Sequence, residues 1–243
     1  AAGDHFGADV AICGNVVIVS AYHKDFSSSR SRSRSGSVYA FRYNGSNWIE
    51  EGKLPASSAA GECYGETVSI SGGLLVVGAQ RKSSAGADSG SAYVFRYDGS
   101  EWTEEQKLNA SNGTELATFG NSVAISGSTI LVGAIHASDN LDRSGSAYVY
   151  RHDGSSWIED VELTASDAAA EDFFGCSVSI SGQNMIVGAV GNDDEGGFTG
   201  SAYTFKQFES EFIRSHCNAD SSFDISDLIF LLGFLFSPGA EPQ

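Results

Sequence analysis

A stretch of twenty residues, SGSAYVYRHDGSSWIEDVEL from Ser144 to Leu163, recurs along most of the chain. Its copies are SGSVYAFRYNGSNWIEEGKL from Ser35, SGSAYVFRYDGSEWTEEQKL from Ser89 and a worn version from Thr199, TGSAYTFKQFESEFIRS. The aromatic near the end of each copy falls at Trp48, Trp102, Trp157 and Phe212, spaced 54, 55 and 55 residues apart. A fixed period of this size means one supersecondary unit stacked on its neighbours, and this constrains the fold more than any local motif does.

Each copy follows a second recurrent segment: FGADVAICGNVVIVSA from Phe6, YGETVSISGGLLVVGA from Tyr64, FGNSVAISGSTILVGA from Phe119 and FGCSVSISGQNMIVGA from Phe174. In the third, Val123 and Ile125 alternate with small polar residues, Gly127-Ser128 interrupts, and Ile130 to Val132 runs apolar. That pattern predicts a hairpin whose second strand is fully buried, with Gly127 supplying positive φ at the turn. In the twenty-residue stretch, alternating residues lead into Asn44-Gly45, Asp98-Gly99 and Asp153-Gly154, dipeptides that mark a second hairpin.

Four strands per repeat follow, and the fold class is all-β: a propeller of four visible four-stranded antiparallel blades, at about 5–54, 64–108, 119–163 and 174–215 within a domain 1–215. Such an arrangement protects strand edges that a lone meander would expose. An aromatic needed by every blade reads as a packing residue, which places Trp48, Trp102, Trp157 and Phe212 between blades. The segments that vary, HKDFSSSRSRSR, QRKSSAGAD, IHASDNLDR and VGNDDEGGF, lie between the second and third strands and mark recognition loops on one face.

With 29 glycines against 3 prolines, the composition suits short strands and tight turns. A net charge of −17 argues against nucleic acid and anionic membranes as partners and favours cations. The opening Ala1-Ala2-Gly3-Asp4 matches what remains after cleavage at a small-residue site, so secretion is expected. Sequons at Asn44, Asn109 and Asn112 are candidate glycosylation sites on a secreted surface. The four cysteines show no metal-type spacing and leave their pairing open.

The FG pairs, the VxISG hairpins, the VVGA or IVGA strands and GSAYVF followed by Trp resemble the FG-GAP repeat family, the blades of integrin-α-like propellers and of many secreted bacterial proteins. The resemblance covers residues 5 to 215. It implies a binding or adhesive propeller. Two features depart from it: four blades are visible where seven are common, and the integrin-type calcium loop DxDxDG is absent.

Residues 216–243 form a separate element, an acidic loop leading into Leu228, Ile229, Phe230, Leu231, Leu232, Phe234, Leu235 and Phe236. Ser226 can cap the predicted helix and Pro238-Gly239 stops it. The helix has almost no polar face and is too short for a transmembrane segment, so it is expected to dock on the propeller or on another chain. This element resembles a degenerate half-dockerin, with Asn218, Asp220, Ser222, Asp224 and Asp227 at calcium-loop positions. His216 replaces its first Asp, and Ser221 its turn glycine.

Further calcium candidates are Asp139, Asn140 and Asp142 in the third repeat and Asn192, Asp193, Asp194 and Glu195 in the fourth, hard oxygens on loops. Solvated acidic loops are the competing reading. The five histidines fall at unrelated repeat positions, His152 reading as an exposed strand residue, and no GxSxG elbow is present; no enzyme is expected. The expected function is that of a secreted, extracellular structural or adhesion protein, a subunit of a homo-oligomer or polymer docked through its apolar helix. The alternative is a monomeric, calcium-dependent module that binds glycan or protein.

Overall fold

The computed structural model describes residues 4–22, 36–55, 63–81, 88–137, 142–193 and 199–206, all within the compact unit Ala1–Gln207. The half-dockerin loop, the apolar helix after it and Phe212 lie outside the described residues.

The first blade contains β1 (Val10–Cys13), β2 (Val16–Ser20), β3 (Val38–Tyr43) and β4 (Trp48–Leu54). The second contains β5 (Val68–Ser71), β6 (Leu74–Ala79), β7 (Ser91–Tyr97) and β8 (Trp102–Leu108). The third contains β9 (Phe119–Ser126), β10 (Thr129–Ala134), β11 (Ser146–His152) and β12 (Trp157–Leu163). The fourth contributes β13 (Phe174–Ser181), β14 (Asn184–Ala189) and β15 (Ser201–Lys206). Each sheet is antiparallel with its strands in sequence order. Among the described residues no helix is long and apolar enough to cross a membrane.

Local chemistry accounts for both hairpins. Gly127 turns the chain between β9 and β10 with φ of 57°, a conformation glycine adopts without steric penalty. At the second hairpin, Asp153 Oδ1 accepts the backbone N–H groups of Ser155 at 2.8 Å and Ser156 at 2.9 Å. Asp98 does the same for Ser100 and Glu101, and Asn44 for Ser46 and Asn47. These are Asx turns, in which the side chain replaces a backbone acceptor.

The final strand of each of the first three blades carries a β-bulge that the sequence did not announce. Ala40 pairs with Gly52 and Phe41 with Glu50, so Glu51 is the extra residue; Glu105 and Asp160 occupy the same place in the next two blades. A bulge re-aims its extra side chain. Here it turns each carboxylate toward the basic residue on the neighbouring strand, giving the pairs Arg42–Glu51, Arg96–Glu105 at 2.9 Å and Arg151–Asp160 at 2.7 Å. Two of the acids also reach the following blade: Trp102 Nε1 donates to Glu51 at 3.1 Å, and His152 Nε2 lies 3.2 Å from Glu105.

The blades stack in chain order, β1 against β5, β5 against β9 and β9 against β13. Period-two alternation gives every blade a leading face, turned to the preceding blade, and a trailing face, turned to the next. Between the second and third blades, Val123, Ile125, Ile130 and Val132 of one leading face pack on Val76, Ala92 and Val94 of the trailing face before it. Equivalent residues form the cores between the first and second and between the third and fourth blades. β10, bounded by a blade on each side, is fully buried, as its apolar run predicts.

The recurrent tryptophans correct one expectation. Trp157 is 3% exposed, Trp102 is half-buried, and Trp48 is 45% exposed and does not lie between blades. The position is a leading-face position, and the first blade has no described blade in front of it. His152 is likewise not an open strand residue, for its ring meets Trp157 edge-on at 5.2 Å and Glu105 beyond.

Trp157→Ala is expected to cost about 3–5 kcal/mol, the usual range for a buried large aromatic, measured by chemical denaturation. A second outcome follows from the Asx turns. Hydrogen bonds from Ser156 and Ser155 hold the Asp153 carboxyl down to about 2, and those from Glu101 and Ser100 lower Asp98 as well. A carboxyl depressed in the folded state stabilises above its ordinary range and loses that contribution as pH falls through the folded value. The double variant Asp98→Asn, Asp153→Asn keeps the acceptor oxygen, as Asn44 does. It should therefore be less stable than the parent at neutral pH, with the gap closing between about pH 4 and pH 2 in acid-unfolding curves.

Candidate binding surfaces

The variable connections between the second and third strands of each blade are closed at their necks by backbone hydrogen bonds. Ala21 and Ser37 exchange both of theirs, Gly145 N–H reaches Ala137 O at 3.0 Å, and Gly200 N–H reaches Asn192 O at 2.9 Å. Pinned necks confine variation to the tips. The tips, residues 23–35, 82–87, 138–141 and 194–198, lie outside the described residues.

His136 stands at the neck in the third blade, edge-on to Phe173 at 5.8 Å. Burial first, and then Arg143, push its imidazole below the ordinary histidine range. Among the described residues no group of three or more His, Cys, Asp or Glu side chains gathers as a metal site would require.

The two ends of the stack offer broader surfaces. On the leading face of the first blade, Phe6, Val10 and Ile12 are 60%, 61% and 66% exposed, with Tyr39 and Phe41 half-covered behind them. Phe6 meets those two rings at 5.6 and 6.4 Å. Tyr64, Phe119 and Phe174 make the same pair of contacts inside the stack, where all three are buried. At the other end, the trailing face of the fourth blade forms a hollow lined by Ser179, Ser181, Asn184, Ile186, Thr204 and Lys206.

These four sheets, stitched through an aromatic-glycine pair at the head of each, carry the repeat that the FG-GAP family model describes. It matches residues 1–41, 48–95, 102–150 and 157–205. The chain belongs to the FG-GAP repeat family. From the second match onward, each runs from the last strand of one blade through the third strand of the next, so the family unit spans the joint between sheets. No curated protein matches the chain. Among solved structures it is similar to the crystal structure of Saccharomyces cerevisiae Sqt1, at 11% identity and a TM-score of 0.46, over 79% of this chain and 44% of that one.

Within the FG-GAP stack the cation candidates separate. Asp142 and Asp193 are exposed at the loop necks, while Asp139, Asn140, Asp194 and Glu195 lie outside the described residues, as do Asn218, Asp220, Ser222, Asp224 and Asp227. Asn192 is 2% exposed. Its Oδ1 accepts from Ser201 Oγ at 2.9 Å and its Nδ2 donates to Tyr203 Oη at 3.3 Å, so it braces the neck. Asn192 replaces Ala137 of the third blade, and the acidic run beside it disguises that structural position.

The three sequons also differ. Asn44 lies in the exposed turn of the first blade. Asn109 and Asn112 belong to a strap that follows β8 and crosses to the third blade. Tyr150 Oη donates to Asn109 O at 2.7 Å, Tyr148 Oη to Asn112 Oδ1 at 2.8 Å, and Asn112 Nδ2 to Glu162 at 2.8 Å. The amide nitrogen that a glycan would take on Asn112 thus holds two blades together.

Asn192→Ala should lower stability by about 1–3 kcal/mol, the range for a buried hydrogen-bonding group whose partners are left unsatisfied. Thermal melts should show the same loss in chelator as in calcium.

Proposed function

We propose that this FG-GAP chain is a secreted, extracellular structural or adhesive propeller protein that works as a subunit of a larger assembly, binding rather than transforming its partners. The apolar leading face left open on the first blade carries this reading. Contiguous exposed apolar surface of that kind marks an interaction site in a soluble protein, and here it lies on a chain of −17 net charge otherwise suited to remaining dispersed.

The apolar run Leu228 to Phe236 supports the same reading from sequence. With almost no polar face, it calls for a covering surface. The half-dockerin pattern around Asn218 to Asp227 assigns it the role of a docking element, with calcium as the cation its oxygens suit.

Light scattering of the full chain is expected to give a particle larger than one chain, and deletion of Ser226–Gln243 is expected to shrink it. A full chain that stays monomeric at high concentration would overturn the assembly reading.

A further inference from the structure

The described residues contain three copies of one blade-to-blade joint, and the first and fourth blades carry the residues of the two halves of another. We propose that the trailing face of the fourth blade docks on the leading face of the first blade of a second copy, joining chains head to tail. The inference rests on the assembly reading above and names the partner and the surface.

The internal joints share polar stitches, with Asp9 of the first blade accepting from Val68 N–H where the next two blades carry a hydroxyl. The hairpin side chains Cys13, Ser71 and Ser126 accept the turn N–H groups of Gly72, Gly127 and Gly182 in the following blade, at 3.3, 3.1 and 3.1 Å. Thr67 and Ser122 donate to the carbonyls of Gly120 and Gly175, at 3.3 and 2.8 Å. Gly36, Gly90 and Gly145 form parallel bridges to Tyr64, Phe119 and Phe174. At Gly90 and Gly145 a Cβ would fall 2.1 Å from the carbonyl oxygen of that aromatic residue, closer than any side chain tolerates.

The fourth blade keeps all three trailing elements: Ser181 in place of Ser126, Ser177 in place of Ser122 and Gly200 in place of Gly145. Around Gly200 the nearest described atoms are 3.5 Å from a Cβ position, so no described residue there requires close approach. The first blade keeps the three leading elements, Gly14, Gly7 and Phe6, in the positions of Gly182, Gly175 and Phe174. Phe6 and Ile12 at one end and Ile186 at the other are all exposed, so among the described residues the first and fourth blades do not cover each other.

The trailing face of the fourth blade is also more polar than those inside, with Thr204 for Val149 and Asn184 for Thr129. Polar outer faces keep terminal repeats soluble; here the substitution leaves the stitching residues in place and favours a reversible joint. A head-to-tail contact is heterologous and either closes a ring or extends into a filament.

Two full-length variants test the proposal by sedimentation velocity. Phe6→Asp, Ile12→Asp blocks the leading face, and Ile186→Arg, Thr204→Arg blocks the trailing face. Each alone should be monomeric, because every joint needs both faces. Mixed together, they should form a dimer and nothing larger, since each supplies the face the other lacks; that rescue also shows that both are folded. Variants that assemble like the parent, or a mixture that stays monomeric, would overturn the proposal. If only the Ser226–Gln243 deletion abolishes assembly, the assembly reading survives and the blade joint fails. A parent chain that is monomeric at high concentration removes both.

Discussion

The structure depends on the seating of an aromatic-glycine pair at the head of one blade against the glycine that precedes the third strand of the blade before. Phe119 N–H donates to Ser89 O at 3.0 Å and Phe174 N–H to Ser144 O at 2.9 Å, so each new sheet begins as a backbone extension of the last. The residue just ahead of the aromatic takes a left-handed conformation each time: His5, Cys63, Thr118 and Phe173 have φ between 51° and 57°. Non-glycine residues enter that region at some energetic cost, and its recurrence at His5, where no described blade precedes, as well as at the three joints ties it to the turn that leads into each blade. Once the joint is fixed, sheet separation and the facing of leading on trailing residues follow.

Around that apolar joint the bulge carboxylates organise a polar rim. Glu51 bonds Arg42 of its own blade and Trp102 of the next, while Arg42 stacks over Tyr97 at 4.3 Å. A planar guanidinium can serve a carboxylate in its plane and an aromatic face at once. The hydrogen bond to Glu51 raises the Arg42 pKa further. Pairs as exposed as these contribute little individually. Their value lies in register, since a bulge displaced by one residue would send the carboxylate to the opposite face.

What could be read from sequence was whatever each repeat decides for itself. The period is a recurrence of whole repeats, and both hairpins depend on residues within one blade. The bulge was not legible, because Glu50, Glu51, Glu104 and Glu105 leave two acidic neighbours with equal claim to the ion pair. The strap through Asn109 and Asn112 was hidden by its sequons, and the bracing role of Asn192 by the acidic run beside it. In each case the deciding partner lies in another strand or another blade.

The tryptophans make the same point about the ends. Trp48, Trp102 and Trp157 occupy one repeat position, yet their exposure runs from 45% through partial cover to 3%. Trp48 stands apart because a leading face is finished only by the blade that precedes it, and Trp102 and Trp157 each have one. In a stack of repeats stability is a sum of units and interfaces, and the four described units make three interfaces and leave two faces without a described neighbour. Natural end repeats usually resolve this by turning polar. The fourth blade has done so only in part, through Thr204 and Asn184, and the first has kept Phe6, Val10 and Ile12, the residues an internal joint would bury. Apolar residues on an outward face leave apolar surface to cover, and at the first blade that surface is the face every described joint buries.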